Sequence, residues 1–204
     1  MMDRIGRILP VVALAVAAAL VVVLSLKVRD QNDRYARLYQ RATQPYAGMF
    51  VPTFQASTLD GAPVTVGESP ASGRQVLFVF TTTCPYCMTT LPAWREITAA
   101  LDTVRSVPVQ VYGIALDSVD ATRRYLAENR LSFPVVRFPE DKLASLYRAQ
   151  SVPLTVVLDE RGRVIHSRLG EMKERAAIDS VLAAVHRPTE PRRKAPAPAS
   201  TAGR

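Results

Sequence analysis

Residues 75–87 read QVLFVFTTTCPYC: an apolar run, three threonines, then two cysteines with two residues between them. A run without polar alternation has no face to offer water. It is read as a strand buried on both sides, and such strands belong to mostly parallel sheets covered by helices. Pro85 belongs at the first helical position, where its missing N–H costs nothing. Cys84 and Cys87 are therefore predicted at a strand-to-helix junction.

The surrounding pattern fits such a sheet. MFVPTFQASTLDGAPVTV predicts two short extended stretches around Asp60-Gly61, a hairpin signal. The helix opened by Pro85 is expected to reach about Val104, with Trp94 and Ile97 as core residues. VPVQVYGIAL, 107–116, reads as a second buried strand. DSVDATRRYLAENR reads as a helix capped by Asp117 or Ser118. FPVVRF is short and extended, and EDKLASLYRAQ is a short helix. VPLTVVLDERGRVIHSRLG predicts a strand, a turn at Glu160–Arg163 and a returning strand. EMKERAAIDSVLAAVH is an amphipathic helix with Ile178, Leu182 and Val185 on one face. The order implies an α/β domain: a central mixed β-sheet flanked by helices, with an N-terminal β-hairpin.

Ile8 to Leu26 is a run of nineteen residues without a charge. That length just spans a hydrocarbon core of about 30 Å, so a transmembrane anchor is expected over residues 1–27. A cleavable signal would have a shorter apolar core and a small-residue cleavage site, and Lys27-Val28-Arg29-Asp30 is a poor one. The flanking Lys/Arg count favours the C-terminal side in the cytoplasm. Long domains translocate largely regardless of such charges, so the residues leave topology open. Residues 28–48 read as a polar stalk, helical in part and closed by Pro45 and Gly48. The globular domain is expected over 49–186. Residues 187–204, rich in Pro, Ala and Arg, read as a disordered tail.

The net charge of +8 raises the question of nucleic acid. Residues 1–41 carry seven Lys/Arg against three Asp/Glu, and residues 187–204 five against one. The middle, 42–186, has fourteen of each sign. The excess lies in the flanks, which suits a membrane surface or solubility and gives no basic domain face for phosphates.

Three chemistries suit a Cys-x-x-Cys pair: a redox couple, half a metal site or a structural disulfide. Zinc wants four ligands, and no second pair exists; the two histidines, His166 and His186, are twenty residues apart. A structural disulfide here would close few residues and stabilise little. A redox couple fits the position. Free N–H groups and the dipole at a helix start favour thiolate over thiol, and thiolate is the attacking form. Cys87, one turn deeper on the same face, is placed to resolve a mixed disulfide formed at Cys84.

With these motifs in hand, the chain resembles the thioredoxin superfamily, and within it the membrane-anchored TlpA/ResA-like thiol-disulfide oxidoreductases. The resemblance covers about residues 49–186. It rests on the strand before Cys-Pro-Tyr-Cys, on Pro92 in TLPAW, on SVPLTVVLDERGRVIHSRLG and on the insert LSFPVVRFPEDKLASLYRAQSVP. It implies a thioredoxin-like fold, with Cys84 as nucleophile and Cys87 as resolving thiol. It makes Pro153 a cis-proline, the alternative being an ordinary trans-proline at a strand start. It sets Pro85, Tyr86 and the Val152 backbone against an incoming peptide, bound as an added strand. Departures from the family pattern are Thr83 for tryptophan, Phe78 for a buried acid, Thr90 for glutamate, and Leu154 before Thr155. Neither usual carboxylate is then available to take a proton from Cys87.

The resemblance implies an enzyme in a bacterial inner membrane, single-pass, with its catalytic domain on the periplasmic side. Its partners would be protein disulfides, a membrane thiol reductant donor and the membrane itself, without nucleic acid. No cofactor or metal is expected beyond the redox-active Cys84–Cys87 disulfide. Reduction of apocytochrome c or copper-site cysteines is the implied kind of task. Two alternatives stand beside it. A peroxiredoxin-like peroxidase matches at Thr81 but not at Leu77. A non-enzymatic copper-delivery protein would space its cysteines one residue wider and add a distal histidine.

Overall fold

The structure, a computed structural model, describes residues 2–68, 73–103, 107–131 and 133–188, with the backbone alone for residues 2–13 and 15. The chain divides into two units, one ending at Gln44 and one beginning at Pro45. The first is a single helix, α1, Met2–Thr43. The expected stalk is therefore helical through Thr43, continuous with the apolar segment. Leu14, Val16, Leu20 to Leu24 and Leu26 are all exposed. Among the described residues no helix is long and apolar enough to cross a membrane, and the expected span Ile8–Leu26 begins among side chains outside that set. The expected tail lies outside the described residues from 189 onward.

The second unit holds β1 Phe54–Ser57, β2 Pro63–Val66, β3 Arg74–Phe80, α2 Pro85–Asp102, β4 Val109–Ala115 and α3 Val119–Asn129. After them come β5 Val135–Val136, α4 Asp141–Leu146, β6 Leu154–Leu158, β7 Val164–Leu169 and α5 Arg175–His186. β1 and β2 form the expected antiparallel hairpin. The main sheet runs β5-β4-β3-β6-β7, with β3, β4 and β5 parallel and β6 and β7 antiparallel. Helix α2 stops at Asp102, and the expected end at Val104 lies outside the described residues. Strand β4 starts two residues later than expected, after Pro108, which has no N–H for a ladder.

All seven residues of β3 are buried, as a central strand with both faces covered requires. Its side chains alternate between two cores. Val76, Phe78 and Phe80 pack towards Trp94, Ile97, Ile178 and Val181, on the side of α2 and α5. Leu77 and Val79 pack with Phe54, Val66 and Tyr147, on the side of the hairpin and α4. On α5 the buried face is Ala177, Ile178, Val181, Ala184 and Val185, while Leu182 is only half-buried at its margin. Gln75 is polar but satisfied. Its amide oxygen accepts from Gly67 N at 2.9 Å, and its nitrogen donates to Thr65 O at 2.8 Å and Gln110 Oε1 at 3.1 Å. It thereby ties the hairpin to the sheet.

Pro45 to Val51, expected to straddle the stalk boundary, belongs to the globular unit. Gly48 N donates to Val164 O at 2.8 Å, Val164 N to Met49 O at 2.7 Å and Val51 N to Gly162 O at 2.9 Å. These bonds cover part of the outer edge of β7, and exposed edges are otherwise templates for aggregation.

Candidate active site

Cys84 is the N-cap of α2, with extended backbone at φ −80° and ψ 114°. A capping residue ordinarily offers a side-chain oxygen to the free N–H groups of the first turn. Here sulfur takes that place, and Cys84 Sγ accepts from Cys87 N at 3.3 Å. Pro85 follows at the first position, which has no N–H to satisfy. The loop into the helix is held from a neighbouring strand end, where the Asp117 carboxylate accepts the Thr82 N–H.

The two sulfurs have different surroundings. Both cysteines are free thiols, Cys84 half-buried and Cys87 fully buried. Burial pushes the Cys87 thiol well up; its contact with Cys84 and the charges of Cys84 and Asp117 add to this, while the Thr81 backbone opposes it. Cys87 is therefore a protonated thiol near neutral pH. Pro85, Tyr86 and Met88 are exposed around the junction and give it an apolar rim.

The Val152–Pro153 peptide bond is cis. Cys84 Sγ faces the Val152 carbonyl oxygen at 3.9 Å, so the segment before β6 sits directly against the first sulfur. Pro153 O accepts from Gly170 N at 2.8 Å, which anchors this segment to the end of β7. The six residues expected at the site thus fall together: Cys84, Pro85, Tyr86 and Cys87 at the start of α2, Val152 and Pro153 across from them.

The departures noted in the sequence have structural roles. Phe78 is fully buried and stacks on Trp94, with centroids 5.0 Å apart, so an aromatic pair fills the place of an acid. Thr90 is buried and donates back to Tyr86 O at 2.8 Å within the helix. Helix α2 continues through Pro92, which faces solvent and leaves the Met88 carbonyl without its helical donor. His166 is half-buried in β7 and His186 is exposed in the last turn of α5. Among the described residues no group of three or more His, Cys, Asp or Glu could hold a metal ion.

Sequence reasoning missed two neighbours of the pair. Ser118 caps α3, accepting from Ala121 N at 3.3 Å, which frees the Asp117 carboxylate for the Thr82 loop. Tyr125 of α3 lies in the same core as Cys87. The one available signal was an acid directly after a buried strand, at the edge where such sheets bind their ligands.

The chain is similar to known proteins. Methylamine utilization protein MauD of Methylophilus methylotrophus is 30% identical over 131 residues, 64% of this chain and 59% of that protein. Sporulation thiol-disulfide oxidoreductase A of Bacillus subtilis is 25% identical over 122 residues, 58% of this chain and 72% of that one. The chain thus spans under two thirds of the length of the first of these relatives. The crystal structure of StoA from Bacillus subtilis matches with a TM-score of 0.55 at 19% identity, covering 65% of this chain and 96% of that one. That likeness shows a shared thioredoxin-like fold. The AhpC/TSA family pattern matches residues 47–167, from the start of the globular unit into β7. By that match, which takes in both cysteines and the cis-proline, the chain belongs to the AhpC/TSA family.

Proposed function

We propose that the chain is a membrane-anchored thiol-disulfide oxidoreductase, with Cys84 attacking and Cys87 resolving disulfides of partner proteins outside the cytoplasm. The observation that carries this is the asymmetry of the pair: a half-exposed sulfur facing the Val152 carbonyl, with a fully buried thiol one helical turn behind it. In the reducing direction, Cys84 thiolate attacks one sulfur of a partner disulfide, and the other partner sulfur leaves as a thiolate. Cys87 then loses its proton and attacks Cys84 Sγ. The second partner sulfur leaves, and Cys84–Cys87 is left oxidised. A thiol donor must return two electrons before the next cycle, and a membrane thiol reductant suits an anchored enzyme. Electrons are carried by the two cysteines alone.

An incoming peptide would lie along Val152 and Pro153 in extended form, across the rim made by Pro85 and Tyr86. The relative named as a thiol-disulfide oxidoreductase supports the reaction class. The exposed apolar side chains of α1 support anchoring in a membrane, and the periplasmic placement of the catalytic domain follows from the resemblance to anchored thiol-disulfide oxidoreductases, against the flanking charge count. Maturation of cytochrome c or copper-site cysteines is the task this reading favours.

Cys84→Ser is expected to abolish disulfide exchange, and Cys87→Ser to trap a mixed disulfide whose partner mass spectrometry would identify. Full exchange by Cys84→Ser would overturn the reading. Peroxide consumption without disulfide exchange would move it to a peroxidase. Release of the full chain from membranes by an alkaline wash would remove the anchor.

A further inference from the structure

Helix α1 runs unbroken from Met2 to Thr43, so its polar half, from Lys27 onward, continues the apolar half with no turn between them. Helices in proteins draw most of their stability from packing an apolar face, and a short polar helix alone in water is marginal. Such a face is present. Leu24, Val28, Gln31, Tyr35, Leu38 and Ala42 follow one another at alternating steps of four and three. That is the seven-residue repeat of a coiled-coil seam. Every charged residue from Lys27 to Arg41 lies off it. Val28, Tyr35 and Leu38 are 62%, 69% and 68% exposed, and Tyr35 stacks on Tyr39 with centroids 6.4 Å apart.

Lipid does not reach this face. Tyr35 is nine residues past Leu26, about 14 Å along the helix axis, whereas headgroups add about 5–8 Å on each side of the hydrocarbon. A helix continuous with a membrane span does not also lie flat on the surface. The flanks of the seam select its occupant. On one flank stand Lys27, Arg34 and Arg41, seven residues apart; on the other stand Ser25, Asn32 and Tyr39, also seven apart and without charge. In a parallel pair of identical helices, the first flank of one copy faces the second flank of the other, five residues further on. Lys27 then meets Asn32 of the second copy, and Arg34 meets Tyr39 of the second copy. Asp30 holds Arg34 by its edge at 3.0 Å, which leaves the guanidinium plane to stack on a tyrosine ring. Reversing one helix would set cation against cation. Gln31, a polar residue within the seam, meets its own copy, and a polar residue there fixes register and strand number.

We propose that α1 pairs with α1 of a second copy as a parallel two-stranded coiled coil over residues 24–42, so that the protein stands in the membrane as a dimer carrying two catalytic units. The pairing rests on the anchored reading for its setting, while the seam and its charged flank belong to the sequence in any setting.

The test uses the full chain in membranes. Cys84→Ser with Cys87→Ser removes both native thiols, and single cysteines are then placed along α1. Under copper-phenanthroline oxidation, Val28→Cys, Tyr35→Cys, Leu38→Cys and Ala42→Cys should each give a disulfide-linked band at twice the chain mass. Arg29→Cys, Asp33→Cys and Arg37→Cys, on the outer faces, should not. In the otherwise native chain, Leu38→Glu should convert dimer to monomer by light scattering in detergent. It should leave disulfide exchange unchanged, since α1 and the catalytic domain are separate units. Cross-linking that is absent, equal on all faces or confined to one seam position overturns the proposal, as does a band whose second member is another protein. Release of the cross-linked pair by an alkaline wash would instead overturn the anchor, and full exchange by Cys84→Ser alone the redox assignment, so the failures are told apart.

Discussion

Trp94 Nε1 donates to Thr155 Oγ1 at 3.0 Å, with both residues fully buried. Trp94 lies on the helix that carries the cysteines, and Thr155 lies two residues beyond the cis-proline. This one bond therefore joins the two halves of the active site from beneath.

Thr155→Val removes the acceptor and leaves the indole N–H buried without one. The expected loss is about 1–3 kcal/mol, read by urea unfolding. Thr155→Ser keeps the hydroxyl and should lose less. If Thr155→Val costs almost nothing while Thr155→Ser is destabilising, packing of the methyl group dominates and the hydrogen bond contributes little.

The reduced protein should lose stability as pH rises above the ordinary cysteine value of 9.0. Burial raises Cys87, Tyr112, Tyr125 and Tyr147, so each keeps its proton in the folded chain at a pH where the unfolded chain has released it. The unfolded state then binds fewer protons, and stability falls with rising pH. Each such group adds at most about 1.4 kcal/mol per pH unit to the slope. Cys87→Ala should flatten the early part of the alkaline limb in urea titrations, and an unchanged slope would count against a raised Cys87.

His166 should act on the acid side. Burial and then the charges of Arg187 and Arg168 hold it below the ordinary histidine value of 6.5, and its buried Nε2 has no hydrogen-bond partner among the described residues. Below that value the unfolded chain takes up a proton that the folded chain refuses, so stability is lost as pH falls. In thermal unfolding, His166→Leu should weaken this dependence. A parallel pair of curves would show that His166 does not contribute.

Gly113 sits in β4 where a Cβ would come within 2.7 Å of Phe133 Cε2 and 2.8 Å of Val135 Cγ2. Gly113→Ala should cost about 1–3 kcal/mol through overpacking. Because the clash involves side chains, Phe133→Leu in the same chain should restore part of the loss in chemical denaturation.

The cysteine pair, the helix start at Pro85 and the strand after Pro153 were legible because each depends on neighbours within a few residues. An apolar run, a proline and a spacing carry their own physics. Asp117 was not legible in its role, because its bond to Thr82 spans 35 residues and exists only once β3 and β4 lie parallel. Its sequence context offered it beside Ser118 as a helix cap, and Ser118 is the one of the two that caps α3. Pro45 to Val51 joined the globular unit through backbone bonds and a contact from Ser167 Oγ to Pro45 O at 2.6 Å, across 122 residues. Backbone pairing of that kind leaves no side-chain signature. The same holds for the length of α1, since a polar stretch that continues an apolar helix looks like a stalk until its hydrogen bonds are traced.

The complete burial of Cys87 bears on how the redox state of this protein is counted. An alkylating reagent too bulky to enter the core would label one cysteine per folded, reduced chain, although two thiols are present. A gel-shift experiment on native material would then score a fully reduced population as half modified. Only labelling after unfolding in acid would return the true stoichiometry of two.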